Sequence, residues 1–468
     1  MSQLQLRTLT EEEIVRLHRA TLEVFANPGF RIGHAGIRAR LAKAGAQVAE
    51  ANQIVRFAPE LVEELLRLAP PVVRQTGLNG RVLEAGGSNR FYHSLVTDPW
   101  IIDYETGPRR PLLEDVRRHT ILGESLDRVS GMMRMQYPVA DIPEPQCYWK
   151  TMEVFLCHTT KHIPIYPTDV ENARDWIEAG EILAGGAGLT RTPLYTMSVA
   201  ITSPLTLTGL NGELLELAVR YQQPVISTVC PMAGSTSPYT MAGAMLVANA
   251  EALLPVVVAQ ALQPGYPVFY AVGPSVTDLR SGHDLYYKAE KMLFKLMGIQ
   301  MGKFYRLPVA GETGGTMTWR YDPQNGAEGM LYILASVAGG QNLFGGLGSM
   351  YNAMGMSAEQ ILLQCGMIDQ AEYLARGVSL TDHELGLASI RKAGPGGHYL
   401  EDDLTLEFLR GQQFFESPHF DRTGDQRPAP GAVAMAHERA EQLIRNYRPT
   451  VPEPLQDELA RYFRRKGV

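Results

Sequence analysis

The stretch that most constrains this chain is Pro231–Ala271, PMAGSTSPYTMAGAMLVANAEALLPVVVAQALQPGYPVFYA. A Gly/Ser/Pro turn opens it, a long run of helix-friendly Ala, Met and Leu follows, and Tyr-Pro-Val-Phe-Tyr closes it as a short apolar strand. Just upstream, Pro224-Val225-Ile226-Ser227-Thr228-Val229 is another buried-strand run. Strand, turn, helix, strand is the unit of a parallel sheet with crossover helices. In such a sheet, function is sought where the strands end.

The unit repeats. From about Val129, strand-like runs appear at Gly131–Gln136, His162–Tyr166, Leu194–Ile201, Pro224–Val229, Pro267–Val272, Phe304–Val309 and Asn342–Phe344. Helix-like runs follow most of them, at Tyr148–Leu156, Val170–Leu183, Gly209–Tyr221, Tyr239–Leu262, Tyr286–Met297, Gln324–Ala338 and Ala358–Ala375. Seven such units suggest a (β/α)8 barrel, whose eighth strand falls before residue 129 or after 376; a doubly wound open sheet is the alternative. Five runs end in the same grammar: Tyr137-Pro138, Tyr166-Pro167, Ser203-Pro204, Cys230-Pro231 and Gly273-Pro274. Proline cannot donate to a ladder, so it stops the strand, and one solution used repeatedly favours the barrel. Proline is also simply common after buried strands.

Ahead of the repeats, Thr10–Leu65 reads as helical, with Thr10 as an N-cap before Glu11, Glu12 and Glu13. Val72–Gly107 holds short β-prone runs between turn signals, a small antiparallel layer or a loop-rich cap. The tail, Leu404–Val468, is helical and charged apart from Pro-rich loops at Gln426–Pro430 and Pro449–Pro454. The expected architecture is an α/β TIM-type barrel over residues 121–400, with a helical and β cap over 1–120 and a helical extension over 401–468.

Composition excludes several functions. A net charge of -7 and no basic tract argue against nucleic acid as partner. The four cysteines (Cys147, Cys157, Cys230 and Cys365) have no metal spacing, which fits a reduced, cytoplasmic protein. No signal peptide opens the chain, and the apolar run Ala252–Leu262 is too short to span a bilayer, so no membrane is expected. There is no G-x-S-x-G elbow, phosphate loop or H-E-x-x-H helix, and Gly311–Gly315 lacks dinucleotide spacing. His158 and His162 straddle a turn, Met132, Met133 and Met135 read as barrel filler, and no metal site is expected.

What remains is an aromatic supply at strand ends. Trp319 and Tyr321 follow GETGGTMT, Phe344 and Tyr351 flank the Gly345–Ser349 loop, and Tyr270 ends a strand run; Tyr92, His93 and Trp100 lie in the cap. Aromatics there can cage an onium cation, each contributing up to about 2 kcal/mol when desolvated. Ordinary half-buried packing is the plainer reading of any single one.

The central block, with its P-M-A-G-x-T-x-P-x-T-x-A-G opening and P-G-x-P-V-x-Y close, closely resembles the trimethylamine:corrinoid methyltransferase family. The likeness extends to His18–Ile32, Pro274–Gly282, Asn342–Gly348 and Gly394–Leu406, covering most of the chain in order. The resemblance implies a (β/α) barrel that moves a methyl group from a methylated amine to the cobalt of a separate corrinoid protein. The trimethylamine enzyme carries pyrrolysine near the segment matching Leu347–Ser357, here LGSMYNAMGMS, with Met354 nearest that position. It therefore resembles the branch without pyrrolysine, which demethylates quaternary amines such as glycine betaine. Departures at Glu401-Asp402-Asp403 and Trp319-Arg320-Tyr321 bear on substrate identity more than on reaction type.

A quaternary ammonium leaves as a neutral tertiary amine, so Co(I) attack on its methyl carbon needs no general acid, only positioning and electrostatics. The expected substrate-binding residues are Trp319, Tyr321, Phe344, Tyr351, Tyr270, His93, Arg320 and Met354. His93, Arg320 and the Gly345–Ser349 amides are the candidates for a betaine carboxylate. Gly346, Ser349 and His398 are the candidates for the corrinoid, which the partner protein supplies and this chain does not bind tightly. Alternatives are a barrel that binds a quaternary amine without turnover, or methyl transfer to another acceptor such as a folate. A homo-oligomer is expected.

Overall fold

The computed structural model describes residues 4–411, 413–421 and 430–468. Eight strands form one parallel sheet: β1 (Phe91–Leu95), β2 (Val129–Met133), β3 (Ile163–Ile165), β4 (Tyr195–Ala200), β5 (Val225–Thr228), β6 (Val268–Ala271), β7 (Val309–Glu312) and β8 (Leu343–Leu347). They neighbour one another in the order β3-β4-β5-β6-β7-β8-β1-β2. A parallel bridge between Gly131 and His162 joins β2 back to β3, where the Met132 N–H donates to the His162 carbonyl at 2.9 Å. The sheet therefore closes into a barrel.

A helix follows every strand: α1 (Leu113–Ser125), α2 (Gln146–Leu156), α3 (Val170–Ala184), α4 (Gly209–Arg220), α5 (Met241–Leu262), α6 (Glu290–Phe304), α7 (Pro323–Gly339) and α8 (Ala358–Arg376). Helices outside and packed side chains inside leave the strands buried on both faces, so they read as continuous apolar runs. The alternation is still present. Phe269 and Ala271 face inward with Ala310 and Leu343, while Tyr270 between them faces outward and donates its hydroxyl to Asn249 Oδ1 of α5 at 2.7 Å.

Two expectations are corrected here. The eighth strand is β1, so the barrel begins inside the 1–120 region expected as a cap. The strand expected at Phe304–Val309 is displaced: α6 runs on to Phe304, Arg306 turns left-handed at φ 57°, and β7 starts at Val309.

Thr240 caps α5, its hydroxyl accepting from the Gly243 N–H, and the helix runs 22 residues. By length and composition it could cross a membrane, but 72% of its apolar window is buried within the fold. The helices Glu11–Ala26, Ala35–Lys43 and Pro59–Leu68 pack on its outer side, and the expected N-cap Thr10 forms a capping box with Glu13. The hairpin Val72–Thr76/Val82–Gly86 stops the N-terminal end of the barrel. Val73 and Ala85, both fully buried, join the inward cluster of Phe269, Ala271, Ala310 and Leu343, and the Gln75 amide donates to Thr196 Oγ1 of β4 at 2.8 Å.

Beyond α8 come short helices at Asp382–Leu385, Leu387–Ala393 and Asp403–Arg410, then Ala432–Arg445 and Glu453–Arg465. The last two pack on the barrel helices, burying Ala440, Leu459 and Phe463. Most of the Pro-rich loop read at Gln426–Pro430 lies outside the described residues.

Candidate active site

The C-terminal ends of the strands surround a cavity of about 250 Å³. Its floor carries His93, Thr196, Ile226, Ala271 and Leu343. Its walls are residues at or beyond the strand ends: Asp98 after β1, Met133 and Met135 at β2, Tyr166 after β3, Cys230 after β5 and Glu312 closing β7. Tyr286 and Tyr287, between β6 and α6, supply one side, and Gly345, Gly346, Ser349 and Ala353 the other.

Two carboxyl groups face this cavity, and their surroundings differ. Glu312 receives Lys295 Nζ at 2.6 Å, Lys291 Nζ at 3.5 Å, the Tyr332 hydroxyl at 3.2 Å and a short hydrogen bond from the Tyr286 hydroxyl. Burial alone would raise its pKa, but the two ammonium groups and these donors hold it far below the usual carboxylate range. Lys291 also donates to the Gly273 carbonyl at 2.7 Å and lies 3.5 Å from the centre of the Tyr286 ring. Asp98 has none of this. It is 5% exposed, and burial with no nearby cation pushes its carboxyl up to about 8.

Aromatic and sulfur groups complete the wall. The Tyr287 ring meets Tyr286 at 5.1 Å and 80°, and Tyr332 at 5.7 Å and 82°. These edge-on contacts fix the ring orientations, and the Tyr287 hydroxyl sits 3.1 Å from Ser349 Oγ. The Tyr166 hydroxyl lies 3.7 Å from Met133 Sδ, and burial pushes it up to about 12. Cys230 is open to the cavity, and enclosure by the barrel wall pushes its thiol up to about 11, so it stays protonated at neutral pH. Burial and the neighbouring His162 hold His93 well below the usual histidine range, hence neutral. Neutral ring faces, thioethers and one unpaired carboxyl are surroundings for a small organic cation.

The loop after β8 is wound under strain. Tyr351, Asn352 and Ala353 lie in succession at φ 55°, 54° and 60°, a region costly for residues with a Cβ. Hydrogen bonds hold it there. The Tyr351 and Asn352 N–H groups donate to Thr318 and Thr316 carbonyls at 3.0 and 2.9 Å. Asn352 Oδ1 accepts from the Tyr286 N–H at 2.8 Å, and its Nδ2 donates to the Asp284 carbonyl at 2.7 Å. This loop thus sets where Tyr286 and Tyr287 stand.

Of the residues singled out from sequence, His93, Gly346 and Ser349 reach the cavity. The others are corrected by strand phase and loop path. Phe344 and Tyr270 point outward on their strands, Phe344 stacking on Tyr92 at 4.7 Å. Tyr321 turns away to a short contact with Ser357 Oγ and to Glu359 at 3.3 Å. Trp319 lies over Gly107 on the outer rim, Arg320 pairs with Asp322 at 3.2 Å in solvent, and Tyr351 packs near Trp100. Met354 is exposed on the same rim, and His398 is exposed in the C-terminal segment and does not line the cavity. Sequence reasoning missed Asp98, Glu312, Tyr166, Tyr286 and Tyr287. The available signal was a lone charge ending an otherwise apolar run, Val309-Ala310-Gly311-Glu312.

Among the described residues, His34, Glu213 and Glu216 come within metal-ligand reach of one another. The His34 ring is already used, its Nδ1 accepting from the Ile37 N–H at 3.2 Å as a helix cap, and the group lies outside the barrel.

The sequence matches the family profile described as trimethylamine methyltransferase (MTTB) over residues 2–468. The chain belongs to the trimethylamine methyltransferase family. It is therefore a methyltransferase, a transferase of one-carbon groups. Among its relatives in that family, the trimethylamine methyltransferase MttB of Desulfitobacterium hafniense is 26% identical over 97% of this chain and 92% of its own length. A glycine betaine methyltransferase of the same species is 26% identical over 95% of this chain and 94% of its own. The fold is similar to that of the Methanosarcina barkeri monomethylamine methyltransferase (MtmB), with a TM-score of 0.54 at 12% identity, covering 94% of this chain and 89% of that one.

Proposed function

We propose that this chain transfers a methyl group from a quaternary amine bearing a carboxylate, of the glycine betaine kind, to the Co(I) of a separate corrinoid protein in the cytoplasm. The observation that carries this reading is the cavity wall of tyrosine rings, thioethers and the unpaired Asp98 carboxyl. Charge supports a zwitterion over a bare cation. In the complex, with Asp98 ionised, the two cavity carboxylates balance Lys291 and Lys295, and a zwitterion leaves the filled site neutral where a bare cation would leave it positive.

Size supports keeping the corrinoid outside. A cavity of about 250 Å³ suits a small amine and lies below the ~300–1,000 Å³ of drug-sized ligands. The rim offers a face instead: Tyr239, Leu279, Trp319 and Met354, from four different βα loops, are exposed there. Gly346 and Ser349, in the loop after β8, line the cavity beneath that face. A corrinoid presented there supplies a Co(I) nucleophile for the methyl carbon. This chain's share is to strip water from the ammonium, hold it against Tyr166, Tyr286 and Tyr287, and aim one methyl outward. The leaving amine is neutral, so no side chain need deliver a proton to it.

The test is incubation with a Co(I) corrinoid protein and a panel of betaines and methylamines, following methyl-cobalt absorbance. Methyl transfer from one or more betaines is expected. Binding without transfer to any acceptor would replace the proposal with a binding protein, and transfer to a folate without corrinoid would replace the acceptor.

A further inference from the structure

The two cavity carboxyls divide the labour of the site proposed above, on which this inference rests. Glu312 is already satisfied by two ammonium groups and two hydroxyls. Asp98 lines the same cavity, is 5% exposed, and among the described residues makes no hydrogen bond or ion pair. An isolated carboxylate in such a place is costly, so an empty cavity favours its neutral form and a bound cation favours its charged form. We propose that Asp98 is the counter-ion of the ligand's quaternary nitrogen, and that it takes this role by releasing its proton to solvent as the cation enters.

The step balances: the carboxyl O–H breaks, the proton passes to bulk water, and the carboxylate left behind faces the ammonium. The groups around Asp98 leave it as the source. Tyr137, from the loop after β2, and Tyr287 are both raised by burial and stay neutral. Glu312, across the cavity, is ionised, His93 in the floor is neutral, and the Cys230 thiol, pushed up to about 11 by burial, stays protonated. Arg110 lies outside, donating to the Pro99 carbonyl at 3.0 Å and stacking on Trp100. Among the described residues facing the cavity, Lys295, lowered by burial, is the competing donor, and it is engaged with Glu312 at 2.6 Å.

The experiment is calorimetric titration of the full chain with glycine betaine at pH 7 in phosphate and in Tris, whose ionisation heats differ. Wild type is expected to release close to one proton per ligand bound. It is also expected to prefer glycine betaine over its carbon isostere 3,3-dimethylbutanoate by about tenfold or more. Asp98→Asn is expected to abolish the proton release and to weaken the preference. Wild-type binding with no proton release overturns the inference while leaving the proposed substrate class standing. Release that persists in Asp98→Asn does the same and points to Lys295. Failure of the folded protein to bind any betaine overturns both. A wild-type count of zero overturns the inference even if the variant does not fold.

Discussion

Asp98 and Glu312 show how one residue type behaves under two neighbourhoods. Asp98 rises from 3.8 to about 8 on burial. Between about pH 4 and 8 the unfolded chain has lost this proton and the folded chain retains it, so the folded state loses stability as pH rises through that window. Asp98→Asn removes the slope, and denaturant unfolding at pH 8 should show it more stable than wild type by about 1–3 kcal/mol. Glu312 has the opposite sign. Glu312→Gln strands Lys291 and Lys295, 2% and 3% exposed, with no counter-charge, and should cost about 3–5 kcal/mol in the same measurement. Neither role was legible beforehand. An aspartate before Pro99 reads as a turn residue, and Glu312 hides in a glycine-rich GETGG. The aromatics that sequence did highlight were chosen by type. Whether Phe344 or Tyr270 faces in or out depends on strand phase, which a run buried on both faces does not disclose.

At the scale of elements, most of the barrel could be read, because apolar strands alternate with long helical stripes and prolines mark the strand ends. β1 was read only as part of the β-prone stretch Val72–Gly107, since His93, which lines the floor, and Ser94, which lies against Gly123 of α1, interrupt its apolar run. The strand expected at Phe304–Val309 slipped because Phe304 and Tyr305, β-prone by type, pack at the end of α6 against His18. The loop after β8 was legible as a segment but not as a device. Its three consecutive left-handed residues are held by tertiary hydrogen bonds, and Asn352 makes two of them with its side chain. Asn352→Ala removes both and puts a poorer left-handed residue in place, so Tyr286 and Tyr287 should lose their fixed setting. A loss of about 1–3 kcal/mol in stability is expected, with weaker betaine binding by calorimetry.

At the scale of the molecule, one surface stands out. Leu380, Leu400, Leu409 and Phe414 are each at least 74% exposed, and the helices from Asp382 to Arg410 bury none of their residues. So much apolar area in one stretch is a surface that association would cover, and we propose a homo-oligomer. Sedimentation should return a mass above the 51.7 kDa of one chain, and Leu400→Glu with Leu409→Glu should lower it toward the monomer. The other end of the barrel carries a different message. Because the Val72–Gly86 hairpin seals the floor with Val73 and Ala85, the chamber is a blind alley. Under the proposed function, whatever is consumed goes in by the door at which the cobalt carrier would stand. Turnover by that route would have a compulsory order, amine before carrier on the way in and carrier before spent amine on the way out.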